Sequence, residues 1–316
     1  MDVLGREARR PGSWTPGLPW ASGVRVPLAM AGRPPAWANL GRCHRVLGKY
    51  FDLPESRAAA EQAFQRAQTL NPVLPVLHKY YAQLECDGGR AVDAMRRLLR
   101  RAQAAVDPEL FAGLVHACRY TGLLDASVAA HEEARRLDPT IQTSVLNTFS
   151  LRCDWERIVR EAVETDPDLR ALALYRLGRK AEAVAAWPGM PDNVAPVMKL
   201  WNDTLVAHLS DAPEARELTE RLSTFGAWND PEGAMAQAVI LSRLGSHDLA
   251  LRLLAEAQDG GFTAPDTLLG DPWLAPLGGD PRFAEILHQA QARRREALAV
   301  FRAEGGERLL GLRAAA

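Results

Sequence analysis

Long apolar runs are missing from this sequence. The longest, such as Ala183 to Pro188, fall far short of the roughly 18 residues that a membrane-spanning helix needs. Arg6, Arg9 and Arg10 are followed by Pro11, Gly12, Pro16 and Gly17, which is not the apolar stretch of a secretory leader. The expectation is a soluble, cytoplasmic chain with no membrane partner. Cysteine is scarce: Cys43, Cys86, Cys118 and Cys153 form no C-x-x-C pair, and no histidine joins them at zinc spacing. They are expected to be buried free thiols near the ends of equivalent helices, with no metal site and no cofactor. Val, Ile and Tyr are sparse beside Ala and Leu, which disfavours sheet. An excess of either charge is also lacking. The 38 Lys and Arg against 39 Asp and Glu leave a net charge of -1. That balance argues against a protein whose main work is gripping nucleic acid.

What is present is helical and repetitive. Hydrophobic residues make up 47% of the 316, enough for a large core. Residues 1–35 stand apart: Pro11, Pro16, Pro19, Pro27, Pro34 and Pro35 alternate with Gly12, Gly17, Gly23 and Gly32, reading as a disordered lead-in. Beyond it an Asp-Pro or Asn-Pro step returns at Asn71, Asp107, Asp138, Asp166, Asp230, Asp271 and Asp280. The first intervals are 36, 31, 28 and 64 residues, the last close to two units. Proline stops one helix and fits the first turn of the next, and the preceding Asp or Asn can cap that next helix. A spacing in the mid-thirties marks stacked helical hairpins.

The apolar pattern within each interval has helical period. Phe111, Leu114, Val115 and Cys118 fall at i, i+3, i+4 and i+7; Gly122 breaks the chain; Ser127, His131 and Ala134 follow. Ala234, Gln237, Ala238 and Leu241, then Gly245, then Ala250, Leu254 and Ala257 repeat the scheme. Asp211-Ala-Pro-Glu214 reads as a capping box opening a helix through Leu222.

Trp37-x2-Leu40-Gly41-x2-His44, then Ala60-x3-Phe64, then Pro72 resembles the tetratricopeptide (TPR) pattern, with His44 for Tyr and about seven extra residues around Lys49 to Glu55. Gly89, Ala94 and Leu98 resemble a second unit, and Gly178, Ala183 and Trp187 a unit with a truncated first helix. The resemblance covers residues 36–258 and implies an all-α, right-handed superhelix of six or seven antiparallel helix hairpins. Residues 259–316 would then be a capping segment, with Phe283, Ile286, Leu287 and Ala290 as its apolar stripe and Arg293, Arg294 and Arg295 as a solvated face near a helix end. Gly260-Gly261-Phe262, Leu268-Leu269-Gly270-Asp271-Pro272-Trp273-Leu274 and Asp280-Pro281-Arg282-Phe283 resemble the close of TPR regions attached to bacterial serine/threonine kinases, nucleotide cyclases and transcriptional regulators. That second resemblance implies a sensor or scaffold part whose effector domain is not in this chain, since it holds no kinase Gly-rich loop, H-R-D or D-F-G.

Catalytic constellations are absent from the sequence: His131-Glu132-Glu133 lacks a second histidine at i+4, and no G-x-S-x-G, Walker loop or dinucleotide fingerprint occurs. The expectation is a non-enzymatic module that binds a protein or peptide. In the TPR family the first helix of each hairpin lines the groove. The resemblance therefore implies groove positions at Arg42 and Arg45, Lys79 and Gln83, and His116 and Arg119, a column suited to an acidic peptide. The Lys-and-Asn clamp of chaperone-binding members is not reproduced, because Arg42, Gln83 and His116 fill the Asn slots. Met235, Val239 and Ser242 occupy comparable positions later and would form a less charged face. Trp37, Trp187, Trp201 and Trp228 read as packing anchors. A helical-repeat RNA reader would need a basic face throughout; the -5 carried by residues 211–260, against +6 in residues 1–50, opposes it.

Overall fold

The computed structural model describes residues 28–50, 53–162, 166–187, 189, 196–224 and 230–312. The lead-in through residue 27 and Trp228 lie outside them. Seventeen α-helices and no strand occur among the described residues. Fourteen form seven consecutive pairs. They are α1 (Pro34–Tyr50) with α2 (Pro54–Leu70), α3 (Pro75–Asp87) with α4 (Ala91–Ala104), α5 (Pro108–Tyr120) with α6 (Leu124–Leu137), and α7 (Val145–Leu151) with α8 (Trp155–Glu161). Then come α9 (Pro167–Arg176) with α10 (Lys180–Ala186), α11 (Pro196–Leu209) with α12 (Ala215–Ser223), and α13 (Pro231–Arg243) with α14 (His247–Asp259). A tail follows: α15 (Pro265–Gly270), α16 (Pro281–Ala303) and α17 (Gly306–Leu309).

The Asp-Pro step works as a cap at four of its seven sites. Asp107 accepts from Glu109 N (2.9 Å), Asp166 from Leu169 N (3.3 Å), Asp230 from Glu232 N (3.2 Å) and Asp280 from Arg282 N (2.8 Å). Each satisfies one orphan amide of the helix it opens. At Asn71, Asp138 and Asp271 the same side chain closes a turn two residues on, accepting from Val73, Thr140 and Trp273. The capping box at Asp211 does not form. Asp211 takes positive φ (51°) and pairs with Lys180, while the N-cap residue Glu214 makes no side-chain cap.

The extra residues of the first unit lengthen its helices instead of its loop, since α1 and α2 each run 17 residues. The Leu-Gly of the motif has a steric reason. A Cβ on Gly41 would sit 2.5 Å from the Phe64 ring, so its absence lets α2 lie close on α1. Ala60 and Phe64 are fully buried there. In the first four pairs each first helix also packs on the next: α1 on α3, α3 on α5, α5 on α7.

The array does not end in open space. Thr263 N donates to Tyr120 O (3.0 Å) and Thr267 Oγ1 to Leu151 O (2.7 Å). The turn at Gly89 (φ 76°) meets the turn at Gly261 (φ 84°), where an added Cβ on Gly261 would lie 2.5 Å from Gly89 Cα. Phe262 is buried edge-on against Tyr120, their centroids 4.9 Å apart. Arg176 is buried between the rings of Trp155 (4.5 Å) and Trp273 (3.8 Å) and bonds Asp271 (2.6 Å). The last pair and the tail therefore lie against the second to fourth pairs and share one core with them.

The tail differs from its expected form in two ways. Arg293, Arg294 and Arg295 stand in the middle of α16, where Arg293 bonds the Gln258 carbonyl and Arg294 bonds Asp266. Helix α16 also reaches α4, since Glu304 takes Arg100 in a two-pronged ion pair. No described helix is long and apolar enough to cross a membrane.

Candidate functional site: the face shared by the first helices

Helices α1, α3 and α5 present one continuous face, because each is the first member of its pair and each packs on the next. The six residues singled out from the sequence are on these three helices. The structure ties five of them, all but Arg42, into hydrogen bonds within the chain.

Arg45 forks onto Asp87 (Nε to Oδ2 2.5 Å, Nη2 to Oδ1 3.0 Å), and its Nη1 donates to Gln83 Oε1 (3.2 Å). Lys49, one turn further along α1, reaches Asp230 at 2.9 Å and Asp87 at 3.8 Å. The Tyr120 hydroxyl donates to Asp230 Oδ1 (3.0 Å) and lies 3.4 Å from Asp87 Oδ1. Two cations, two carboxylates and a phenol thus interlock across α1, α3, α5 and the N-cap of α13. Beside them Arg119, fully buried, forks onto Glu232 (2.7 and 3.1 Å), and its Nη1 donates to Ser144 O and Oγ (both 2.9 Å). Its Nη2 lies 2.9 Å from His116 Nδ1. Lys79 bonds Glu109 (2.6 Å) and the Gln142 carbonyl (3.3 Å). Arg42 differs: it is half-buried, and its guanidinium lies over the Tyr80 ring at 5.1 Å.

The electrostatics follow from burial and pairing. Burial works against the charged Arg45 and Lys49, yet their carboxylate neighbours outweigh it and hold both pKa values above the ordinary range. Burial likewise raises Asp87, but Arg45 and Lys49 prevail and it is lowered. The Tyr120 phenol is pushed well up, by burial and by Asp230 and Asp87. Burial pushes the His116 imidazole well down, and Arg119, Arg45 and Lys49 add to that. His116 therefore stands neutral; its ring stacks on Tyr120 (4.5 Å), and its Nε2 is buried without a hydrogen-bond partner among the described residues. The Cys118 thiol is pushed to about 12 by burial, so it stays protonated.

In the acidic-ligand column expected at Arg42, Arg45, Lys79, Gln83, His116 and Arg119, the cations Arg45, Lys79 and Arg119 thus already hold carboxylates of the chain. The anions it would attract are already there: Asp87, Glu109, Asp230 and Glu232 of the same chain. The sequence reading missed Lys49, Asp87, Tyr120, Asp230 and Glu232. Lys49 and Asp87 stand four residues beyond Arg45 and Gln83, one helical turn, which is a readable signal. The approach of Asp230 and Glu232 from more than a hundred residues away is not.

Met235, Val239 and Ser242 are buried, and Ser242 Oγ donates to the Trp273 carbonyl (2.7 Å), so this stretch packs against the chain's own tail. Trp187 donates to Asn202 (3.0 Å) and Trp37 to the Ala31 carbonyl (2.8 Å), and both indoles are half-buried. Of the cysteines, Cys86 and Cys118 end equivalent helices, whereas Cys43 is in mid-helix and Cys153 occupies a turn with φ 55°. Among the described residues no three His, Cys, Asp or Glu side chains gather as metal ligands.

What the arrangement does chemically is bind itself. Every described cation of this face except Arg42 has an in-chain oxygen at bonding distance, and Tyr120 and His116 are held in their neutral forms. Compared with known proteins, the chain matches no family model, no curated protein and no solved structure.

Proposed function

We propose that this chain is a non-catalytic protein-interaction scaffold built on a TPR-type array, with a regulatory role. The observation that carries the reading is the serial packing of helix pairs, most of them into one large core, with inner charges consumed by that packing. A body so built has the rigidity of a platform, and its remaining chemistry lies on outward helix faces. Rigid presentation of an extended helical surface suits recognition of other polypeptides. The regulatory setting rests on the tail: its Gly261, Phe262, Asp271 and Trp273, which resemble the close of bacterial signalling TPR regions, all belong to the core contacts described above. On that reading the chain serves as the sensor part of a kinase, cyclase or transcriptional regulator whose effector lies elsewhere.

The test is cross-linking capture with the full chain, followed by calorimetry with each purified candidate. Saturable binding of a purified polypeptide at fixed stoichiometry is the expected result. Purified candidates that give no heat, together with turnover of a small molecule by the chain alone, would overturn the scaffold reading.

A further inference from the structure

Outside the sealed face, one helix carries four arginines on its outward side. Arg96, Arg97, Arg100 and Arg101 of α4, with Asp93 and Ala104, line a single shallow open basin. The spacing i, i+1, i+4, i+5 places two guanidinium pairs one turn apart on one helix face.

The two halves of the basin differ in how far their charge is met. Arg100 is forked by Glu304 (2.8 and 2.6 Å), which also lies 3.5 Å from Arg96, and Arg96 bonds Asp93 (2.8 Å). On the other half Arg97 gives only Nη1 to Glu85 (2.5 Å) and rests over the Tyr81 ring at 5.0 Å. Its Nε and Nη2 are buried with no hydrogen-bond partner among the described residues. Arg101 has no described carboxylate on it and stands one turn along from Arg97. Arg101 thus keeps its donors open beside three arginines already met within the chain.

We propose that this basin docks an acidic segment of a partner polypeptide, with an Asp or Glu carboxylate taken by the Arg101 guanidinium beside the charge of Arg97; the proposal rests on the scaffold reading and names its contact surface. Three carboxylates already sit on this patch, from Asp93, Glu85 and Glu304, so the guanidinium geometry is shown to accept that group. A carboxylate matches a guanidinium fork in shape as well as charge. A nucleic acid strand is disfavoured by the chain's charge balance of 38 cations to 39 anions. Glu304 is an in-chain competitor: it neutralises the rim and limits how strongly Arg100 adds to the grip.

Fluorescence anisotropy of a labelled Asp/Glu-rich peptide against the full chain tests this. Wild type is expected to bind saturably, more weakly as salt rises. Arg101→Glu, at a side chain with no described partner to lose, is expected to weaken binding roughly tenfold. Glu304→Gln is expected to tighten binding about twofold to fivefold by releasing Arg100. Arg252→Glu, at an exposed arginine on α14, serves as the charge control and is expected to change little. Circular dichroism of each variant confirms the fold. No binding by wild type at about millimolar peptide, equal losses in the Arg101 and Arg252 variants, or binding of a phosphorylated peptide but not of its acidic counterpart would each overturn the proposal. If a captured partner binds Arg101→Glu as well as wild type, the basin is excluded while the scaffold reading stands.

Discussion

The molecule has two sets of arginines that look alike in sequence and behave differently in space. Arg45, Arg119 and Arg176 have side chains only 10%, 0% and 4% accessible, and each meets a carboxylate brought to it by folding. Arg96 and Arg100 are exposed on α4, with side chains 36% and 66% accessible. The first set fixes how distant parts of the chain meet. The second is screened by water and contributes little to stability. Burial, not residue type or helical register, decides whether an arginine here is a structural bolt or a charge offered to the outside.

The sharpest way to break the comparison is to remove one bolt. Arg119→Ala leaves Glu232 facing its buried neighbours without a counter-charge and is expected to cost about 3–5 kcal/mol, read as a lowered urea midpoint. Pairing Arg119→Met with Glu232→Leu should recover most of that loss, because two apolar side chains leave no orphan charge. A second test leaves the charges alone and attacks the contact that lets them meet. Gly261→Ala places a methyl against Gly89 in a left-handed turn and should cost about 1–3 kcal/mol in the same assay.

Acidity probes the buried set without mutation. Burial lowers His78 to about 4 and pushes His116 well below its ordinary value of 6.5. Between those limits the unfolded chain binds protons that the folded chain does not. These two histidines therefore each contribute a loss of stability as pH drops from about 6.5 toward 4, by up to about 1.4 kcal/mol per pH unit, against an opposite contribution from Asp166, whose carboxyl burial raises to about 8. Calorimetric melting against pH checks this, and His116→Asn should flatten part of the slope. The smallest effect belongs to the outer set. Arg101→Ala should change the urea midpoint by no more than about 0.5 kcal/mol equivalent; a loss comparable to that of Arg119→Ala would erase the distinction.

The sequence made the local architecture legible where local chemistry enforces it. Proline at helix starts, Asp107, Asp166, Asp230 and Asp280 as caps, and glycine in the tight turns all act within a few residues. The pairs α7/α8 and α11/α12 are quieter in sequence, because Cys153 and Asp211 take the left-handed positions that Gly89, Gly122, Gly178 and Gly245 fill elsewhere. The candidate face was legible only by half. Helical register lines up Arg45, Lys79 and Arg119, but Arg119 meets Glu232 across 113 residues and Arg100 meets Glu304 across 204. No period or motif reports a partner that only the full course of the chain delivers.

The meeting of the turns at Gly89 and Gly261 also sets a limit on length. An open stack can gain or shed a hairpin at either end, since each unit leans only on its neighbours. Here, adding or deleting one pair between α4 and α14 would carry Gly261 away from Gly89 and pull Asp230 off Lys49 and Tyr120 together. The number of hairpins between the two turns is therefore part of the design: a pair gained or lost there takes away the joint that seals the chain.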